Sequence, residues 1–359
     1  MGNNSISKAY FIGSIFVLIG FVVQDFFKPA QTIGILCISL TWILTFNYKS
    51  KFDKIIKSPL AIAFIGIYIM YLLSMTYTHN QVVGWENLLL KVSILIFPVV
   101  IFSTNFLSQQ RRIYLLKLFA TLMVVTAAMD LTLSFLDYNQ SMNSNVFYYT
   151  KLTHILPLQP HYISCYYSFA IFSLLYFIAT GSRYRLIMGF TIFLLLVSIL
   201  LLSSRAYLLI FPFVSGVSFI LLLKNNFLTR AHIFIMLSVF ALIIVGVLVS
   251  PEISKRINDA IVELKVINEE NPKKQTNPRV YLWKGAMDII SKKPLLGYGI
   301  GDAKEQLNIT LKDKDAFFWN GTSNYHIISR NFNSHNQYLE IWAQIGVLGF
   351  LLIVFVLLY

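Results

Sequence analysis

The sequence predicts an all-α polytopic membrane protein with about ten transmembrane helices. One large, mostly helical extracytoplasmic module stands before the last of them. Three observations carry this reading. The chain has 359 residues, of which 57% are hydrophobic and only 13% charged, whereas a soluble domain carries about 25% charged residues. A 41.2 kDa globule with a mean hydropathy of +0.67 has too few polar residues to cover its own surface. The apolar residues also come in long continuous runs, and a membrane helix needs about 20 of them. This composition excludes an ordinary soluble enzyme, a disordered chain and a disulfide scaffold.

The runs fall at roughly 9–23, 31–48, 59–75, 88–103, 114–136, 160–180, 186–203, 206–223, 232–250 and 336–359. They do not alternate, so a transmembrane β-barrel does not fit. In lipid a helix satisfies its own backbone groups, which makes the runs helical. Lys8 is followed by apolar residues up to Val23 and then by no small-x-small cleavage site, so the first run reads as a retained helix. The two cysteines, Cys37 and Cys165, lie in apolar runs and read as small buried hydrophobes.

Residues 251–335 differ from the rest. They hold 10 acidic and 13 of the 29 basic residues, too polar and too long for a hairpin. The organisation is therefore a nine-helix bundle over 1–250, a loop module over 251–335 and a tenth helix over 336–359. Within the module, residues 252–270 read as an amphipathic helix. A second helix starts at Asn277-Pro278, a good N-cap followed by Pro at the first helical position, and stops before Pro294. Gly297-Tyr298-Gly299-Ile300-Gly301 reads as a flexible turn, and 313–333 as a loop.

Short loops fix the orientation. With the N-terminus in the cytoplasm, one side carries Lys8, Lys49, Lys51, Lys54, Lys57, Arg111, Arg112, Arg183, Arg185, Lys224 and Arg230. The other side's short loops carry only Lys28, Lys151 and Arg205. Positive charge in short loops stays cytoplasmic, so the module and Arg205 face outward. This asymmetry accounts for most of the net charge of +13, and no nucleic-acid partner is needed to explain it.

The outward face holds the candidate chemistry. His335 sits in Asn333-Ser334-His335-Asn336-Gln337, where Ser334 and Gln337 fit a capping box at the start of the last helix. A helix N-terminus disfavours imidazolium, and a neutral imidazole can accept a proton; an interfacial His that bonds locally is the plain alternative. Arg205, in Ser203-Ser204-Arg205, lies near the hydrocarbon boundary, where charges are costly. Its guanidinium fork suits phosphate oxygens, although it could simply snorkel to headgroups. Arg279 lies in the first turn of the second module helix, where a bound anion would engage both it and the backbone amides. Otherwise it is a solvated surface Arg. His161 follows Pro160 at the outer end of the sixth run, as a cavity residue or an aromatic-belt residue. Asp130 and Glu340 are intramembrane acids, either functional or ion-paired. His79, His154 and His326 have no partner signal. No nucleophile elbow, P-loop, dinucleotide fingerprint or zinc motif is present.

Several short motifs then align in order. They are Asn277-Pro278-Arg279 with Trp283 and Ala286, Lys293-Pro294-Leu295-Leu296-Gly297-Tyr298-Gly299, and Ser334-His335-Asn336-Gln337-Tyr338-Leu339 with Ile345-Gly346. Together with Pro160-His161-Tyr162 and Ser203-Ser204-Arg205, this pattern resembles the O-antigen ligase/polymerase family of bacterial envelope enzymes. The resemblance covers most of the chain in topology, with its specific motifs within about 160–350.

The resemblance implies a metal-independent glycosyltransferase, without a cofactor, in the bacterial inner membrane. Its donor would be a glycan on undecaprenyl diphosphate at the outer, periplasmic leaflet. Its acceptor would be a hydroxyl of lipid A-core, of a growing glycan or of a protein. Arg205 and Arg279 would hold the diphosphate and His335 would activate the acceptor, with His161 and Asn336 as further candidates. The Arg-x15-Gly signature frequent in the polymerase branch does not occur at Arg205 or Arg279, where the sixteenth residues onward are Leu221 and Leu295. That lowers the polymerase reading without excluding it; the first expectation is a ligase onto lipid A-core, with a chain polymerase and a protein O-glycosylating ligase as sister readings. The sequence ends at Tyr359 inside an apolar run, whereas the family usually continues through one or two more helices. Two other classes compete: an envelope-lipid transporter, which would show paired repeats with broken helices, and a scaffold, which would not need boundary arginines.

Overall fold

The computed structural model describes residues 3–27, 29–156, 158–204, 278–313, 317–319, 324–326 and 332–359, with isolated positions between 207 and 261. Twelve helices are followed within these residues: α1 Asn3–Val22, α2 Pro29–Ile43, α3 Tyr48–Ile56, α4 Pro59–Ser74, α5 Gln81–Leu90, α6 Ser93–Ser103, α7 Gln109–Ser141, α8 Pro160–Ala179, α9 Arg185–Leu202, α10 Pro278–Lys292, α11 Ala303–Asp313 and α12 Gln337–Leu358.

Among the described residues, six spans are long and apolar enough to cross a membrane: Ser5–Val22, Gln81–Ser103, Gln109–Ser141, Pro160–Ala179, Arg185–Leu202 and Gln337–Leu358. A seventh arises if α2 and α3 together make one broken span. The expected count of ten is therefore not reached among the described residues. The run at 59–75 forms α4, which at 16 residues is short for a span. The runs at 206–223 and 232–250, and the amphipathic helix at 252–270, lie outside the described residues. At 33 residues, α7 is about 50 Å long and must extend well beyond the hydrocarbon core.

Helix starts follow ordinary capping chemistry. Ser58 caps α4 through the Ala61 N–H, with Pro59 next in line. Ser108 caps α7 through the Arg111 N–H and Asn80 caps α5 through the Val83 N–H. Each side-chain oxygen satisfies one of the orphan donors of a first turn.

The described residues divide into two units, 1–41 with 106–261, and 42–105 with 262–359. In the first, α7, α8 and α9 pack around Met123, Ala127, Ile163, Tyr167, Ile171, Leu195 and Leu202. Asp130 is buried there with a complete set of donors. Its Oδ1 accepts the N–H groups of His154 at 3.0 Å and Ile155 at 2.9 Å, and its Oδ2 accepts the Tyr167 hydroxyl at 3.3 Å. His154 in turn lies 3.0 Å from the Ser134 hydroxyl. Cys165 is exposed on α8 and Cys37 is half-buried, so neither fills the fully buried position that its apolar run suggested.

In the second unit, α12 packs along α4, and α10 packs on both α11 and α12. One apolar cluster joins Leu282, Ala286, Ile289, Ile290, Ala303, Leu307, Leu311 and Ala343, and another joins Ile67, Tyr71, Leu88, Ile300, Ile341 and Ile345. Part of the stretch read as a loop, 313–333, instead forms a short antiparallel pair. There β1 Phe317–Trp319 meets β2 Asn324–His326, with Phe318 opposite Tyr325.

Candidate functional site

The site begins with a break in α12. Ile345 and Gly346 leave helical geometry, Gly346 at φ +74° and ψ −171°, a region that is essentially restricted to glycine. The break frees carbonyls that a continuous helix would use internally, and a freed carbonyl in an apolar setting must find a donor. The glycine-rich turn supplies the donors. Tyr298 N–H bonds to the Ala343 carbonyl at 2.8 Å and Gly299 N–H to the Gln344 carbonyl at 2.9 Å, while the Val347 N–H reaches the Pro294 carbonyl at 3.0 Å.

A second set of contacts grips the same turn from the α4–α5 connection. Ile300 N–H reaches the Ser74 hydroxyl at 3.3 Å, Asn87 Nδ2 donates to the Ile300 carbonyl at 3.1 Å, and the Tyr77 hydroxyl donates to the Leu296 carbonyl at 2.6 Å. The buried Asp302 carboxylate then accepts the N–H groups of His79 at 2.7 Å and Asn80 at 2.8 Å, at the start of α5. A carboxylate at a helix N-terminus is stabilised by both the amides and the helix dipole. The 297–301 segment is therefore a fixed joint, not the flexible turn expected from its glycines. Composition alone could not show the docking partner that holds it.

His335 stands just before α12. The expected capping box between Ser334 and Gln337 does not form. Asn336 is the N-cap, its Oδ1 accepting from Tyr338 N–H at 3.0 Å and Leu339 N–H at 3.3 Å. Ser334 instead closes a tight turn on Asn336, donating to its carbonyl at 2.9 Å. His335 is thereby left outside the helix at φ +46°, a left-handed conformation that His tolerates better than most residues. Its N–H bonds to Asn333 Oδ1 at 3.1 Å, and its ring meets Phe332 edge-on at 5.7 Å. The turn thus presents the imidazole at the mouth of α12.

Partial burial pushes the His335 imidazole below its ordinary value, and the positive charge of Arg279 pushes it further down. Glu340 opposes both. Burial and Arg279 therefore favour the uncharged ring. Arg279 is exposed in the first turn of α10, which starts at Pro278 as expected. Glu340, half-buried in the first turns of α12, accepts from Gln344 Nε2 at 3.3 Å. The structure thus brings Arg279, His335, Asn336 and Glu340 into one electrostatic neighbourhood.

Arg205 lies outside the described residues. His161 is half-buried in the first turn of α8, its ring 4.2 Å from that of Tyr162. His161 and Asp130 both belong to the first unit. Among the described residues, no three His, Cys, Asp or Glu side chains gather in a set that could hold a metal ion.

Comparison with known proteins adds to this geometry. Residues 190–354 match the family model described as O-antigen ligase. Over this stretch the chain is similar to O-antigen ligases. The stretch takes in the candidates Arg205, Arg279, His335, Asn336 and Glu340, as well as the glycine joint and the α12 break. His161 and Asp130 fall before it. A protein of Haemophilus influenzae (strain ATCC 51907 / DSM 11121 / KW20 / Rd), described as an uncharacterized protein, is 27% identical over 151 residues. That alignment covers 41% of this chain and spans only 35% of the other protein's length.

Sequence reasoning missed Asn87, Asp302 and Gln344. Gln344 was detectable as an amide well inside the apolar run 336–359, beyond Asn336 and Gln337 at its start, and Gly346 as a glycine two residues further on. Asp302 and Asn87 gave no signal, because their partners are backbone groups distant in sequence.

Proposed function

We propose that this membrane enzyme transfers a glycan from undecaprenyl diphosphate to an acceptor hydroxyl at the outer face of the bacterial inner membrane. The acceptor in this reading is lipid A-core. The observation that carries it is the His335 imidazole, held toward its uncharged form by burial and the Arg279 cation, inside the stretch that matches the O-antigen ligase model.

The acceptor oxygen attacks the anomeric carbon of the donor sugar. The bond from that carbon to the diphosphate oxygen breaks, and the diphosphate leaves with the electron pair. His335, held toward its uncharged form by burial and by Arg279, takes the acceptor's hydroxyl proton. Arg279, with Arg205 as a second cation, meets the negative charge that grows on the departing diphosphate. Fixed donors aimed at developing charge can be worth on the order of 10²–10³ in rate. Asn336 acts by winding the turn that presents His335, and Glu340 by tuning its basicity. His161 is a candidate contact to the same substrates, and Asp130 reads as structural. The enzyme sits with its N-terminus in the cytoplasm and residues 251–335 in the periplasm.

Profiling envelope glycans of a deletion strain tests this reading. Loss of long chains from lipid A-core supports the ligase. Single-repeat chains would make the enzyme a polymerase, and lost protein glycans a protein O-oligosaccharyltransferase. Unchanged envelope glycans would overturn the transferase.

A further inference from the structure

A cavity of about 160 Å³ adjoins the α12 turn. It is far larger than the roughly 10–15 Å³ that one water requires. Its lining is mixed: Ala286, Ala303 and Ala343 are small and leave the space, Leu307 adds an apolar side chain, and Asn87, Lys304, Asn333 and Ser334 add polar groups. Glu340 and Gln344 stand on one side. Gln344 is 5% exposed, its Nε2 is engaged by Glu340, and its Oε1 is buried without a donor. A buried acceptor left unmade costs about 1–3 kcal/mol, and the occupant that would relieve it must bring a hydrogen-bond donor.

We propose that this cavity is a pyranose subsite for the acceptor glycan. A sugar ring has an apolar face to lie on the alanine floor and hydroxyls to donate to Gln344 Oε1 and the Glu340 carboxylate. Both of these side-chain oxygens are acceptors, and Lys304, Asn87 and Asn333 in the same lining add donors, so the site suits a hydroxyl-rich group that both gives and accepts hydrogen bonds. Glu340 borders the cavity and also acts on the His335 imidazole, so a ring held here places its neighbouring hydroxyl near the base. The assignment to an acceptor rests on the transferase reading; the preference for a pyranose rests on the cavity itself.

The test uses the purified full chain in detergent. Thermal unfolding is followed with methyl glucopyranoside, methyl galactopyranoside and methyl mannopyranoside as probes, and with inorganic pyrophosphate as the contrast. At least one pyranoside should raise the midpoint by about 2 °C or more. The shift should vanish in Gln344→Met, which keeps the volume and removes the orphan oxygen, and in Ala286→Leu, which fills the floor. In a transfer assay with lipid-linked glycan and native acceptor, Gln344→Met should raise the acceptor KM about 10-fold and leave the donor KM unchanged. The subsite is overturned if no pyranoside shifts the wild type, if the shift persists in Gln344→Met, or if that variant has a wild-type acceptor KM. Should Ala286→Leu not fold, Gln344→Met alone decides. Failure of the transferase reading is seen separately, as unchanged glycans in the deletion strain.

Discussion

Gly299 donates its backbone N–H to the carbonyl of Gln344 at 2.9 Å, across the break in the last membrane helix. This bond and its neighbour from Tyr298 tie the segment that follows α10, the helix of Arg279, to α12, the helix that His335 precedes. The joint depends on backbones approaching more closely than a side chain allows. A Cβ on Gly346 would stand 1.9 Å from the Leu295 carbonyl oxygen, at a φ of +74°.

Gly346→Ala should therefore cost roughly 3 kcal/mol or more of stability, from backbone strain and steric conflict combined. Thermal unfolding of the purified protein in detergent checks this. A midpoint within a degree of wild type would show that the joint is not built as described.

Asp302 anchors the same turn to the start of α5. Asp302→Ala removes two charge-assisted bonds and leaves the His79 and Asn80 amides without their acceptor. The expected loss is about 2–4 kcal/mol. Hydrogen exchange at these two amides should accelerate ahead of exchange in the rest of α5, whereas unchanged protection would contradict the assignment.

The pH dependence of transfer should report the balance around His335. Glu340 raises the imidazole's proton affinity and Arg279 lowers it. Removing the negative charge in Glu340→Gln makes protonation harder, so the acid limb of the rate profile should move to lower pH. Removing the positive charge in Arg279→Gln makes protonation easier, so the limb should move to higher pH, with a loss of rate on the order of 10²-fold besides. Shifts in the opposite directions would remove His335 as the titrating base.

Asp130 should behave as a structural residue. It gathers two backbone amides and a tyrosine hydroxyl inside the first unit. Asp130→Ala should lower stability by about 2–4 kcal/mol, because three buried donors lose their acceptor. Transfer per folded molecule should stay near wild type, and a variant that is stable but inactive would place Asp130 in the reaction.

The sequence made the membrane class legible because hydrocarbon imposes a length and polarity rule on every crossing helix, and α1, α7, α8, α9 and α12 obey it. It also marked the start of α10, since Asn277-Pro278 is local capping chemistry. It misplaced the cap of α12. Ser334 and Asn336 both satisfy local rules there, and only the wound turn around His335 selects Asn336. The glycines of 297–301 looked like freedom and are constraint, because the segment's partners, Ala343 and Gln344, are remote in sequence. Charge near His335 followed the same pattern: the residue types were visible, but the balance between Arg279 and Glu340 is a tertiary fact. The unpaired Gln344 oxygen is likewise a property of packing, since an amide in an apolar run says nothing of which of its atoms finds a partner.

Complementing a deletion strain with His335→Ala tests the central claim most directly. Wild-type and variant protein are brought to equal amounts in the inner membrane, and the glycans attached to lipid A-core are compared. The wild type should restore the long chains, and His335→Ala should leave the bare core of the deletion strain. Full restoration of the chains by His335→Ala would contradict a transfer mechanism built on this imidazole.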